Sequence, residues 1–327
     1  MRALVCERPG EVALRNIPVP VPGPGEVVVR VKAALTCGTD LKQILRGHPK
    51  VPFPVILGHE LAGTVESVGE GVVDLLAGER VTCAVSGPCG FCGACRTGDE
   101  NLCPSAFDGT VWGAFAEFVL VPPRVVERGL YRLPEGLSFE AAALLDPLAS
   151  VVRGVSRLPI PEGCRALLHG SGPIALMFAT LLSRRGVSNV VVSGRNPDRL
   201  RRFAALGFET SPSADDRFDV VVDTTGAESV AEKALFQVRT GGALMLFAGM
   251  PKGSRVRLDA GRIHYDEVTV IGSFHYTPRE AREALDLLVS GAVPVDVLVD
   301  RTSALEGFHE VFERMRASVG MKTAFQP

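Results

Sequence analysis

From residue 144 onward the chain switches repeatedly between two hydrophobic periods, and that alternation leaves few folds open. LLDPLASVVRGVSRL (144–158) carries apolar positions at helical spacing, with a proline in its first turn. Short Val/Leu runs then alternate with helix-period segments: ALLHG, PIALMFATLLSRRG, NVVVSG, PDRLRRFAALG, VVVDTTG, ESVAEKALFQVR, GALMLFAG and VTVIGS. Continuous apolar strands separated by helices imply a parallel sheet covered on its faces. GFETSPSADDRFD (207–219) is too short for a full strand and helix, so the sheet is expected to be trimmed on one side. The first third reads as β instead, with Val-rich segments such as GEVVVRVKAAL, LAGTVESVG, RVTCAV and FAEFVLVP punctuated by Gly or Pro. The C-terminal portion has a helix (PREAREALDLLVSG), a strand near VDVLV, another helix (LEGFHEVFERMRA) and a closing strand, MKTAFQ.

Gly170-Ser171-Gly172-Pro173-Ile174-Ala175 follows the run ALLHG directly and opens a helix. In that place glycines permit a tight turn and bring backbone N–H groups to a pyrophosphate at the helix N-terminus. The placement within a βαβ pattern makes it a dinucleotide-binding fingerprint, whose last position tolerates Ala. A site for NAD wants an acid at the end of the next strand, to bind the ribose 2′-OH. Gly194 stands there and Arg195 follows. An acid repels a 2′-phosphate, whereas an arginine pairs with it. Ser193 can add a hydrogen bond, and Arg199 lies one helical turn beyond Arg195. NADP is therefore expected in preference to NAD. The bland alternative is that Arg195 solvates a loop in which Asn196 caps a helix starting at Pro197.

Four cysteines, Cys89, Cys92, Cys95 and Cys103, fall at C-x2-C-x2-C-x7-C spacing in a glycine-rich segment. Such spacing wraps the backbone around one point, and four thiolates in tetrahedral array form a closed structural zinc site. The pattern also echoes a bacterial iron–sulfur protein, but that motif has a much shorter gap before its last cysteine. The opening residues, MRALVCERPGEVALRNIP, have no signal-like or membrane-spanning run, and the formal net charge is −2. No basic excess suggests nucleic acid. The expectation is a cytoplasmic protein that binds neither nucleic acid nor membrane, with its eight cysteines reduced. Cys6, Cys83 and Cys164 read as small buried or turn residues, and His48, His169, His264 and His309 as structural or surface residues.

Two more short motifs lie in the β-rich part. Cys37-Gly38-Thr39-Asp40 follows a strand, and Gly58-His59-Glu60 follows the apolar run VPFPVIL. A thiolate and an imidazole are good zinc ligands, although either alone reads as a buried residue.

Together, CGTD, GHE, the four-cysteine lobe, GSGPIA and the late segment IHYDEVTVIGSFHYTP resemble the zinc-dependent medium-chain dehydrogenase/reductase family, in its alcohol and polyol (sorbitol-like) branch. The resemblance implies an α/β protein: a GroES-like catalytic domain over 1–147 with a zinc lobe at 86–105, a Rossmann doubly wound domain over 148–274, and a return to the catalytic domain over 275–327. It implies an active site in the cleft between the domains and two zinc ions per chain. Cys37 and His59 would be catalytic zinc ligands and Glu60 a ligand or exchangeable near-ligand. Asp146 takes the place of the family's remaining ligand, which is Cys in alcohol dehydrogenases and usually Glu in polyol dehydrogenases. Aspartate is one methylene shorter, so water could intervene. The bland reading of Asp146 is a carboxylate favoured at a helix start. Asp40 would orient His59. Zinc would make a substrate hydroxyl more acidic, Thr39 would take its proton, and a hydride would pass to the cofactor. Lys42 stands where many relatives have a relaying His. Thr225, Gly249 and Ser273 join the expected cofactor contacts.

Trp112, Gln43, Phe115, His275 and Tyr276 occupy pocket positions by resemblance, with simple core as the alternative. The expected substrate is a secondary alcohol or ketone of the polyol, sugar or amino-alcohol type. A homodimer or homotetramer is expected, with VTVIGS extending the sheet across an interface. Against this stand a non-catalytic dinucleotide-binding regulator, the iron–sulfur protein and a zinc-free quinone reductase. Retention of Cys37, His59, Thr39 and a carboxylate argues for an open metal site, and fold alone would not decide it.

Overall fold

The computed structural model describes residues 1–47, 51–212 and 216–327. His48 lies outside the described residues. The chain divides into two compact units, Met1–Ala149 with Tyr276–Pro327, and Ser150–His275.

The first unit is built on a seven-stranded sheet. Its central strand, Val27–Leu35, is bordered by Glu60–Val68, Phe118–Val121 and the closing strand Lys322–Phe325, all antiparallel to it. Arg80–Cys83 and Leu130–Arg132 extend one side, and Val299–Ser303 pairs parallel to the closing strand on the other. A smaller sheet joins Arg2–Arg8 to Glu11–Asn16 and Val55–Ile56. β-Branched side chains suit this pleated, buried surface: Val27, Val29, Val31 and Val65 pack with Leu61, Phe312 and Phe325 in one core. Phe115 belongs to that core. It is fully buried, with its ring 4.8 Å from that of Phe325, which corrects its placement in a substrate pocket. The expected strand near VDVLV starts later, as Val299–Ser303, because Val295–Leu298 forms a helical turn.

The second unit is a six-stranded parallel sheet in the order Glu209–Ser211, Asn189–Ser193, Arg165–His169, Phe218–Asp223, Val238–Leu246 and Thr269–Gly272. The sequence direction of this order reverses between Arg165–His169 and Phe218–Asp223. Such a switch point opens a ligand crevice at the strands' carboxyl ends. The expected trimming is narrower than the sequence suggested. A three-residue strand is present at Glu209–Ser211, and among the described residues no helix connects it to Phe218–Asp223. No helix among the described residues is long and apolar enough to cross a membrane.

Candidate active site

Helix Gly38–Arg46 starts immediately after the central strand region of the first unit, with Cys37 as its N-cap. The Asp40 carboxylate accepts the Cys37 N–H at 2.8 Å, which ties the first turn to the cysteine. The other Asp40 oxygen lies 3.3 Å from His59 Nδ1. One buried aspartate thus fixes both candidate ligands. His59 and Glu60 stand at the start of strand Glu60–Val68, after Gly58. Gly58 has φ +89°, and a Cβ there would sit 2.5 Å from the Phe115 ring, so only glycine permits this entry. The His59 ring stacks on Trp112 with centroids 4.8 Å apart.

Cys37 Sγ, a His59 ring nitrogen and a Glu60 carboxylate oxygen all lie within 4.8 Å of one another. Sulfur, imidazole and carboxylate are a zinc donor set, and three protein ligands with an open position suit a catalytic ion. Burial alone would lower the His59 pKa. Asp40 and Cys37 outweigh it and hold the ring well above its ordinary value, evidence of strongly negative surroundings that favour a cation.

Lys322, unremarked in the sequence, completes the base of the site. Its ammonium is buried and lies 2.6 and 2.9 Å from the two Glu60 oxygens, and it donates to the Thr36 carbonyl at 2.9 Å. Burial works against this ammonium, but Glu60 and the Cys37 thiol raise its pKa overall. Burial raises the Glu60 carboxyl, opposed by Lys322 and His59. A lysine in the otherwise apolar run MKTAF was the available signal.

Asp146, on helix Leu145–Ser156, is not part of the three-residue donor group. Tyr276 donates its hydroxyl hydrogen to Asp146 Oδ1 at 2.5 Å and accepts the Val85 N–H at 3.3 Å. Burial, then Asp146, pushes the Tyr276 phenol well above its ordinary pKa, so it stays protonated as the donor. Cys83, buried and close to the same carboxylate, is pushed up to about 12. Thr39 is half-buried in the first turn of its helix, and Lys42 is exposed one turn further. Gln43 is fully buried and donates to the Val51 carbonyl at 3.3 Å.

The second cysteine cluster is compact. All four sulfur atoms of Cys89, Cys92, Cys95 and Cys103 lie within 4.8 Å of one another, with 3.5 Å between Cys92 and Cys95 and 3.9 Å between Cys89 and Cys95. Tetrahedral bonds of ~2.3 Å to zinc require S···S edges of about 3.8 Å. Backbone N–H groups of Cys89, Gly90 and Cys92 point at sulfurs of the cluster at 3.3–3.4 Å. The Cys89 thiol is drawn down to about 6, first by the Phe91 backbone. Burial drives Cys95 up to about 12. Sulfurs this close cannot all ionise without a cation among them, and four thiolates are a donor set that could hold one. Among the described residues no cysteine forms a disulfide.

In the second unit one register row crosses all six strands: Ser211, Ser193, His169, Asp223, Leu246 and Gly272. The expected dinucleotide contacts lie on that row or within six residues beyond it. Gly170-Ser171-Gly172 follows His169, and Pro173 and Ile174 open the helix Pro173–Arg184. Gly194 and Arg195 follow Ser193. Thr225 follows Asp223, whose carboxylate takes the Thr225 N–H at 2.8 Å and its hydroxyl at 2.6 Å. Gly249 follows Leu246, and Ser273 follows Gly272. Gly170 has φ +110°, and a Cβ there would meet Thr224 Oγ1 at 2.3 Å, which forces glycine at the turn. Asn196 caps the next helix by accepting the Asp198 and Arg199 N–H groups, with Arg195 exposed beside it.

A parallel sheet with a glycine-rich turn at its switch point, in one chain with a β-rich unit that carries a zinc-type donor group, is the pattern of a metal-dependent dehydrogenase. The comparisons agree. The sequence model of the alcohol dehydrogenase GroES-like domain matches residues 23–134, and that of the zinc-binding dehydrogenase domain matches residues 173–290. D-arabinitol dehydrogenase 1 of Uromyces fabae is 31% identical, over 100% of this chain and 97% of its own. D-altritol 5-dehydrogenase of Agrobacterium fabrum is 34% identical over 88% of each chain. The crystal structure of a zinc-binding dehydrogenase from Sinorhizobium meliloti bound to NADP superposes with a TM-score of 0.91 at 29% identity, covering 100% of this chain and 99% of that one. The chain belongs to the zinc-dependent medium-chain dehydrogenases, in the sorbitol-dehydrogenase-like branch. It is an enzyme that uses zinc and a nicotinamide dinucleotide to interconvert an alcohol and a carbonyl.

Proposed function

We propose that this chain oxidises a secondary hydroxyl of a polyol or sugar derivative, with NADP preferred to NAD and two zinc ions per chain. The observation that carries the reading is the convergence of Cys37, His59 and Glu60 donor atoms within 4.8 Å, beside a helix whose first turn presents Thr39. Cys37, His59 and Glu60 would hold the catalytic ion, and Cys89, Cys92, Cys95 and Cys103 the structural one. When bound, the catalytic zinc supplies a Lewis acid that lowers the pKa of the reacting hydroxyl.

The chain's own side chains do the rest. Thr39 accepts the hydroxyl proton and passes it outward, and Lys42, on the same helix face three residues on, carries it to solvent. A bound nicotinamide would supply the hydride acceptor for the carbinol carbon, so that the substrate would lose two electrons and two hydrogens in all. Asp40 holds the Cys37 backbone and the His59 ring. Asp146, bridged to Tyr276, offers a carboxylate beside the reacting carbon, where a neighbouring hydroxyl of a polyol can donate to it. The polyol names of the two relatives support this substrate class.

Gly170, Gly172, Pro173 and Ile174 would receive the pyrophosphate, with Thr225, Gly249 and Ser273 toward the nicotinamide. Arg195 and Arg199, with Ser193, would meet the 2′-phosphate. The NADP-bound relative supports a site of this kind. Among the described residues the rim of strand Thr269–Gly272 has no strand partner on its outer side, and pairing it with a second copy would give a homodimer, or a homotetramer by further association. Eight reduced cysteines fit a cytoplasmic setting.

The test is turnover with NADP⁺ and NAD⁺ over a panel of polyols, sugars, amino-alcohols and simple alcohols, using protein of measured zinc content. Faster turnover of polyols with NADP⁺ is the expected result. Turnover of simple alcohols alone would overturn the substrate class, and an advantage for NAD⁺ would overturn the cofactor preference.

A further inference from the structure

Helix Pro123–Gly129 lies against the four-cysteine lobe and meets it with two arginines, Arg124 and Arg128, four residues apart on one face. Arg124 Nη1 donates to the Ser105 carbonyl at 2.9 Å, and the Arg124 carbonyl oxygen is 2.6 Å from the place a Cβ on Gly87 would take. Gly87 N–H in turn donates to the Ala106 carbonyl at 3.2 Å, so the two ends of the lobe close at Arg124. Arg128 reaches into the lobe itself. Its Cζ, Nη1 and Nη2 lie 2.5–2.6 Å from the position of a Cβ on Gly90, so the flat guanidinium covers that residue. Gly90 has φ +82° and no side chain, which leaves the space to the arginine. The Gly90 N–H points at Cys95 Sγ at 3.3 Å. The guanidinium carbon is therefore within about 8 Å of that sulfur, inside the ~8–10 Å over which salt water screens a charge.

Four thiolates carry twice the charge that one zinc ion neutralises. The backbone N–H groups of Cys89, Gly90 and Cys92 offer the sulfurs partial charges only. We propose that Arg128 is the counter-ion of the cysteine lobe, a positioning residue whose cation, seated on Gly90, tightens the lobe's hold on its metal. The role rests on the two-zinc reading above. The charge is anchored outside the lobe. Val125, in the same helix, is fully buried in the core of the first unit, and the Gly129 carbonyl accepts the Ala84 N–H at 2.7 Å. The lobe is thereby held to the sheet by charge as well as by chain. Glu127 Oε1 competes for Arg128 Nη2 at 3.1 Å, but the glutamate is 65% exposed against 34% for the arginine, and a carboxylate so well hydrated is a weak competitor.

The experiment is competition for zinc between the full-length chain and a colorimetric chelator (pyridylazoresorcinol), with Arg128→Met, Arg128→Lys and wild type compared. Cys37→Ser, run alongside, identifies the share of the catalytic ion. Arg128→Met keeps the apolar stem and removes the charge. It is expected to weaken zinc binding in the lobe about tenfold, the low end for a residue that supports a metal site, because a side chain 34% exposed is partly screened by water. Arg128→Lys is expected to stay close to wild type. Rising salt should bring the wild-type affinity toward that of Arg128→Met and change the variant much less, a dependence that packing alone would not produce. An Arg128→Met lobe that binds zinc as tightly as wild type overturns the role, and so does a lysine variant as weak as the methionine one. A wild-type lobe that holds no zinc overturns the two-zinc reading and this role with it. Should Arg128→Met fail to fold, Arg128→Gln, with a planar polar end and no charge, carries the same comparison.

Discussion

The phenol of Tyr276 holds the carboxylate of Asp146 at 2.5 Å, and this single bond separates the two carboxylates of the site by role. Glu60 lies within the donor group and Asp146 outside it. Metal content should follow that division. The wild-type enzyme is expected to carry two zinc ions per chain by atomic absorption. Cys37→Ser and His59→Ala should each leave one, and Asp146→Asn should leave two. Replacing a residue that supports a site without binding the metal costs about 10–100-fold in activity, and Asp146→Asn and Tyr276→Phe are expected in that range. An Asp146→Asn protein with one zinc would make Asp146 a ligand.

The four-cysteine lobe predicts a different signature. Cys89 and Cys103 are buried, and three backbone N–H groups are committed to sulfurs of the cluster. Loss of one thiolate opens the closed site, and metal binding there contributes folding free energy directly. Cys103→Ser should therefore reduce zinc from two ions to one and lower Tm by several degrees. Its turnover at low temperature should fall far less than that of Cys37→Ser. A Cys103→Ser protein with unchanged Tm and two zinc ions would remove the lobe's structural role.

These residues differ in how legible they were. The four cysteines, CGTD, GHE and GSGPIA are local signals, because each motif's spacing encodes its own turn. The parallel sheet was legible for the same reason, since each strand or helix writes its period within a few residues. Lys322 was not, because its partner Glu60 is 262 residues away in sequence; a lysine in an apolar strand says only that some charge must meet it. Asp146 was visible as a carboxylate, but its engagement depends on Tyr276, 130 residues distant. Phe115 stood at a pocket position by resemblance, with simple core as the alternative. Its side chain instead faces the core, a choice made by the positive φ at Gly58 and the aromatic rings of Phe312 and Phe325.

The Lys322–Glu60 pair should behave as a buried ion pair. Both side chains are almost wholly excluded from water. In the zinc-free protein, removing one partner of such a pair leaves an uncompensated charge and costs about 3–5 kcal/mol, whereas removing both charges costs much less. Lys322→Met is expected to lower the urea midpoint strongly, and Glu60→Gln in the same chain to restore most of it. If the double variant is no more stable than Lys322→Met, Glu60 carries no costly buried charge once Lys322 is gone, and the ion-pair reading fails.

His169 predicts a pH dependence of opposite origin. It ends the strand before the glycine turn, is buried, and has Nε2 2.7 Å from Gln237 Oε1. Burial lowers its pKa below the ordinary 6.5, against the opposing pull of Gln237 and Asp223. Below pH 6.5 the unfolded chain therefore binds a proton that the folded chain refuses. The unfolded state gains from acidification, so this contribution to stability is present above pH 6.5 and is lost as pH falls toward the folded pKa. The slope for one proton is at most about 1.4 kcal/mol per pH unit. Urea midpoints measured from pH 7.5 to 5.5 should decline for the wild-type enzyme and decline less for His169→Gln. Taking the difference between the two proteins cancels the groups they share. Parallel curves would mean that His169 is as easily protonated in the folded enzyme as in the unfolded chain.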